Sequence, residues 1–165
     1  MKEWFAVYTK LNCERKVSNI LTKKGITNLL PLVQNDVQKR KNGGTPVFPS
    51  LVFVNLEKEN IGKILQIPEV INFVYWLGKP ASIKEVEIEV IQRFILEHKN
   101  VSIQKIEVNR EEGVRIITSL DEKTIQKSLP KLETVKITLP SLGFALIGER
   151  QKTYVKIILD QSIAV

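Results

Sequence analysis

Two hydrophobic periods alternate along the chain. Trp4-Phe5-Ala6-Val7-Tyr8-Thr9 is aromatic and β-branched without a breaker, which predicts a strand. Asn12 is placed to cap a helix over Cys13 to Lys24, where Val17, Ile20 and Leu21 make one buried stripe while Arg15, Lys16, Lys23 and Lys24 point elsewhere. Gly25 stands where such a helix closes. Extended structure resumes from Ile26 to Val37, interrupted at Pro31. The run Lys39-Arg40-Lys41-Asn42-Gly43-Gly44-Thr45 carries Asn-Gly and Gly-Gly, so a basic hairpin tip is expected there.

In Pro46-Val47-Phe48-Pro49-Ser50-Leu51-Val52-Phe53-Val54, two prolines bracket an aromatic and an apolar strand follows. Proline cannot donate to a β-ladder and tolerates only a first or edge position, so Phe48 is expected on a rim where it meets a partner. Leu51 to Leu56 is nearly continuous in its apolar character, which predicts a central strand buried on both faces. Glu59 to Ile67 reads as a short helix stopped by Pro68, and Val70 to Trp76 as a further strand. The order β-α-β-β-α-β predicts an α/β sandwich of the ferredoxin-like sort around one antiparallel or mixed sheet.

Ser82 is placed to cap a helix running to about Glu97, with Val86, Val90, Ile91, Phe94 and Ile95 as its apolar face. A domain boundary is expected at His98-Lys99-Asn100. Beyond it the texture changes to short β-branched runs, Gly113 to Thr118, Thr134 to Leu139, Phe144 to Ile147 and Tyr154 to Leu159, which predict a small barrel. The class is therefore α+β, with a first domain over 1–99, a linker over 100–108 and a barrel over 109–165.

An apolar share of 43% is ordinary for a globular chain of 165 residues. The net charge of +7 and pI near 9.5 predict attraction to a polyanion. That charge is concentrated: Met1 to Lys41 holds nine Lys or Arg against three Asp or Glu, which favours a local binding face. One cysteine excludes an intrachain disulfide and a cysteine-based zinc cluster, and fits a reducing cytoplasm. The apolar run ending at Tyr8 is too short for a signal peptide, and no segment approaches 18 apolar residues, so no export, anchor or membrane partner is expected.

No enzyme constellation is visible. A Ser-His-acid or Cys-His site has only His98 to recruit, and neither a Gly-x-Ser-x-Gly elbow nor a phosphate-cradling Gly-Lys-Ser/Thr loop occurs. Glu85, Glu87 and Glu89 read as a solvated helix face, His98 as a solvent-facing helix end, and Cys13 as a small structural residue. No catalysis, cofactor or metal is expected.

Trp4-Phe5-Ala6-Val7-Tyr8-Thr9, the helix with Glu14 and Lys16-Val17, Pro31, Val47-Phe48-Pro49-Ser50-Leu51-Val52-Phe53-Val54 and Gly78-Lys79-Pro80-Ala81 together resemble the N-terminal domain of the NusG transcription elongation factors, over residues 3 to 97. Tyr8 resembles the specialised RfaH-type members, and Ser141-Leu142-Gly143-Phe144-Ala145-Leu146-Ile147 is similar to the C-terminal domain of the UpxY antiterminators of capsular polysaccharide operons. The resemblance implies an NGN domain with a four-stranded, mainly antiparallel sheet and a small KOW or SH3-like barrel. Val114-Arg115-Ile116-Ile117 lacks the glycine-rich turn that follows the family's first barrel strand, so the KOW motif is degenerate.

The same resemblance implies a monomeric regulator that binds RNA polymerase and DNA to suppress pausing or termination. Tyr8, Phe48, Pro49 and Leu51 would grip the clamp helices of the largest polymerase subunit; the alternative is that they fill the core. Lys10, Arg15 and Lys16 would touch non-template DNA, with Tyr75 and Trp76 as the aromatics for base stacking, against a solvated helix face and a core Trp. Lys39, Arg40 and Lys41 would lie beside upstream duplex DNA or form a solvated loop. The barrel would meet a ribosomal protein or a termination factor. A nucleic-acid-binding module acting on ribosome or RNA without polymerase remains the rival reading, and an RNA-processing enzyme a third.

Overall fold

A computed structural model describes residues 1–33, 43–109, 113–116 and 132–151. Strand β1 (Glu3–Thr9) leads into helix α1 (Glu14–Lys23), then β2 (Thr27–Leu29), β3 (Leu32–Val33), β4 (Thr45–Pro46) and β5 (Leu51–Leu56). A 3₁₀ turn (Lys58–Asn60) and α2 (Ile61–Leu65) return the chain to β6 (Val70–Phe73), followed by β7 (Tyr75–Trp76), β8 (Lys79–Pro80) and β9 (Ser82–Ile83). Helix α3 (Glu85–Glu97) precedes β10 (Lys99–Asn109), β11 (Gly113–Ile116), β12 (Leu132–Leu139) and β13 (Phe144–Gln151).

The first sheet runs β2-β5-β1-β6, antiparallel throughout, with β9 also pairing β1. Because side chains alternate along β1, Phe5 and Val7 face one way and Ala6 the other. Phe5 and Val7 join Val52 and Val54 of β5, Val17 and Leu21 of α1, and Phe73, whose ring meets that of Phe5 edge-on at 6.0 Å. Ala6, Leu51 and Phe53 look to the opposite face, where Ile88, Ile91 and Phe94 of α3 cover them. β5 is buried on both faces because α1 covers Val52 and Val54 on one side and α3 covers Leu51 and Phe53 on the other.

Two caps differ from expectation. Helix α1 starts at Glu14 after Cys13, with no side-chain cap, and Asn12 instead takes a left-handed φ of 59°. Ser82 lies in β9 opposite Phe5, where its hydroxyl hydrogen-bonds Glu3, so α3 begins three residues later, with Glu85 and Glu87 complementing its N-terminal dipole. Gly25 closes α1 with φ 71°, as its position predicts.

The stretch 100–108, expected as a linker, is strand. It forms most of β10 in a second antiparallel sheet ordered β11-β10-β13-β12. Val101 and Ile103 alternate with Ser102 and Gln104, the period of a half-buried strand. Leu139, Leu146 and Val101 of this sheet, with Phe144 and Ile137 at the margin, continue the same apolar cluster as Phe48, Phe53 and α3. The second sheet therefore lies on the first unit. Residues 34–42, which include the expected basic hairpin tip, and the expected strand from Tyr154 to Leu159 lie outside the described residues.

Candidate functional site

The turn between β4 and β5 is built by three hydrogen bonds. Thr9 N donates to Ser50 O at 2.9 Å, Leu51 N to Phe48 O at 3.2 Å, and Ser50 N to Oε1 of Glu14 at 2.8 Å. Glu14 is a buried carboxylate in the first turn of α1, so its charge is spent on holding this loop against helix and sheet. Ser50 accepts a φ of 59°, an uncommon geometry that the clamp stabilises. Glu14→Ala is expected to cost about 1–3 kcal/mol, because the Ser50 N–H is left without its partner, and equilibrium denaturation of the two proteins measures it.

Of the four residues expected to grip a partner, Tyr8 and Pro49 are exposed, with Tyr8 at 43%, while Phe48 and Leu51 are buried at 0% and 3%. The expectation of a bare Phe48 ring is thus corrected. Phe48 meets Phe53 edge-on at 5.3 Å on one side, and on another Phe144 of the second sheet at 5.9 Å. Proline-bounded strand starts place a ring at the sheet margin, but the margin here is roofed by a second apolar sheet. Full burial of such a side chain contributes about 1.5–3 kcal/mol.

The expected cations divide by what they already touch. Lys10 is exposed and makes no ion pair among the described residues. Arg15 donates through its guanidinium to the Gly44 carbonyl, fixing the base of the hairpin. Lys16 pairs with Glu69 at 2.5 Å. That hydrogen bond raises the Lys16 pKa above its ordinary value and lowers that of Glu69, so the pair's contribution fades as pH falls through the depressed Glu69 value or rises through the raised Lys16 value. Lys39, Arg40 and Lys41 fall outside the described residues. Tyr75 and Trp76 stand out on β7, 46% and 61% exposed beside exposed Leu77, so Trp76 is not a core residue.

Sequence reasoning missed the contacts that join the two units. Glu87, expected in a solvated face, is buried; its Oε1 accepts from Ser141 N at 3.1 Å and its Oε2 is buried without a partner among the described residues. Its spacing from Ile91 and Phe94 puts it on the buried stripe of α3, which is the signal that was available. His98, expected in solvent, is half-buried: its ring stacks on Phe94 at 4.0 Å and 15°, and its Nδ1 lies 2.9 Å from Phe94 O. Gly148 of β13 admits this packing, since a Cβ there would lie 2.8 Å from both His98 Cβ and Phe94 Cε1. Cys13 is a partly buried free thiol.

Among the described residues no group of His, Cys, Asp or Glu is arranged to hold a metal, and no helix is long and apolar enough to cross a membrane. The fold is that of a two-sheet α/β protein in which Phe48 and Phe53 of the first unit are covered by the second sheet. A family model described as "Transcription termination factor nusG" matches residues 2–92, more than half of the chain, which therefore belongs to the NusG family. Proteins of this family bind RNA polymerase and act in transcription elongation and termination. A solved structure, "Domain interaction in Thermotoga maritima NusG", is similar in fold at 20% identity, covering 93% of this chain and 98% of that one with a TM-score of 0.50. No curated protein matches the sequence.

Proposed function

We propose that this chain is a specialised elongation and antitermination regulator of the RfaH and UpxY kind. It docks on the clamp helices of the largest RNA polymerase subunit through Tyr8, Phe48, Pro49 and Leu51, and suppresses pausing or termination at particular operons such as those for polysaccharide synthesis. One observation carries the reading further than family membership does: Phe48 lies beneath Phe144 of the second sheet. An aromatic anchor roofed by a separate unit is a docking face held in reserve, and polymerase binding draws on the fraction of molecules in which the roof has lifted. The Thermotoga maritima protein is likewise described by a domain interaction.

Lys10 then supplies the free charge toward non-template DNA, with Lys39, Arg40 and Lys41 toward the upstream duplex, and Tyr75 and Trp76 stack on bases in the open form. Arg15 and Lys16 support the loop and helix that present Lys10. The domain scheme is a first unit over 1–99 and a second, KOW-like barrel that meets a ribosomal protein or a termination factor once released. This reading is non-enzymatic, monomeric and cytoplasmic, and it calls for no cofactor.

Tyr8 provides the cleanest test because its ring is exposed while Phe48 and Leu51 are buried. Tyr8→Ala is expected to weaken binding to core polymerase roughly 30-fold, the effect of losing an anchor worth about 2 kcal/mol, while the melting temperature stays put. Unchanged polymerase binding, together with salt-sensitive binding to RNA alone, would transfer the assignment to a ribosome- or RNA-associated module.

A further inference from the structure

A groove of about 870 Å³ runs along the seam between the two units. Tyr75, Trp76 and Pro80 of the β7 and β8 ribbon form one wall, and Ile106 of β10 with Pro140 and Leu142 of the turn between β12 and β13 form the other. None of the described residues that line it is charged, in a chain of net charge +7. We propose that this groove binds a small uncharged aromatic molecule, and that the bound molecule holds the two units together.

The size lies in the range of small-molecule sites, which are apolar with a few placed polar groups. A charged ligand would lose its hydration here without a counter-charge, so the chemistry selects a neutral one. The Tyr75 hydroxyl, the Trp76 indole N–H and the Ser141 hydroxyl have no partner among the described residues and are the groups that orient it. The Ser82 hydroxyl is taken by Glu3. Flat aromatic shape is favoured because two exposed aromatic residues, Tyr75 and Trp76, both line the groove.

The far wall is preformed. Leu142 N and Gly143 N both donate to Leu139 O at 3.1 Å, and Ser141 N donates to Glu87 of α3, so the Pro140 to Gly143 turn is anchored to the first unit. Since the walls come from both units, the site exists only while they are apposed. A molecule that binds the apposed state and not the separated one shifts the equilibrium toward the former. The site requires no polymerase, and its ligand is distinct from any partner of the Tyr8 face.

Phenylnaphthylamine, a neutral aromatic fluorophore, tests this on the full chain. Saturable binding is expected, weakened about tenfold by Trp76→Ala, as for loss of an aromatic anchor, and unchanged by Leu96→Ala, an exposed apolar residue of α3 away from the groove. Hydrogen exchange at Val47, Phe48, Leu142 and Gly143 should slow when the probe is bound. The proposal is overturned by absence of saturable binding, by equal affinity in Trp76→Ala, by equal weakening in Leu96→Ala, or by binding that leaves exchange unaltered. None of these readouts involves polymerase, so failure here leaves the Tyr8 experiment undisturbed.

Discussion

Truncating Phe48 to Ala should lower the stability of the full chain by about 3–5 kcal/mol, the usual cost of removing a fully buried aromatic ring. The ring has no solvent exposure and is held edge-on by Phe53 at 5.3 Å and Phe144 at 5.9 Å, so its removal takes away both transfer energy and two aromatic contacts. Urea denaturation of wild type and Phe48→Ala measures the difference. A loss below about 1 kcal/mol would mean that the ring is largely uncovered in solution, and the masked face would have to be abandoned. The size of the effect also governs how docking experiments are read. Lost polymerase binding by Phe48→Ala mixes unfolding with loss of an anchor, whereas Tyr8→Ala, at an exposed ring, does not.

Gly148→Val should prise the second sheet from α3. Even a Cβ at this position meets His98 Cβ and Phe94 Cε1 at 2.8 Å, and valine adds two methyl groups to a strand otherwise compatible with them. Overpacking of this kind costs about 1–3 kcal/mol. The contact between α3 and β13 absorbs the strain by separating, since Gly148 is paired within its own sheet to Val135 of β12 and that pairing faces no clash. Faster hydrogen exchange at Val47 to Leu51 is the expected result, with tighter binding to core polymerase if the covered face is the docking face. Exchange rates equal to wild type would show that β13 bends locally instead. Glu87→Ala supplies a second route to the same end, because it removes the acceptor for Ser141 N without adding bulk.

The local elements were legible because their signals are local. β1, α1, β5 and α3 follow from apolar runs and from i, i+3, i+4 stripes, and Gly25 marks a helix end by its left-handed backbone. The misjudged details each depend on a partner distant in sequence. Asn12 and Ser82 are good caps in isolation, but Ser82 is drawn into pairing with β1 and Asn12 into a tight turn. Glu87 looks solvated until Ser141, 54 residues on, presents its N–H. Strand β10 carries a short alternation at Val101 to Gln104, but its length and its place in a sheet are set by pairing with β13 and β11.

The candidate site divides along the same line. Chemistry alone picks out Tyr8, Phe48, the basic first quarter and the β7 aromatics as unusual, since residue type and breaker spacing are properties of the chain itself. Which of them face solvent is a property of packing: Tyr8 and Trp76 do, Phe48 and Leu51 do not, and Lys16 is already neutralised by Glu69. Burial of an apolar surface is non-directional and satisfied by any complementary surface within reach. A sequence therefore determines that the face around Phe48 is greasy, and only the folded molecule decides that its own second sheet is what covers it.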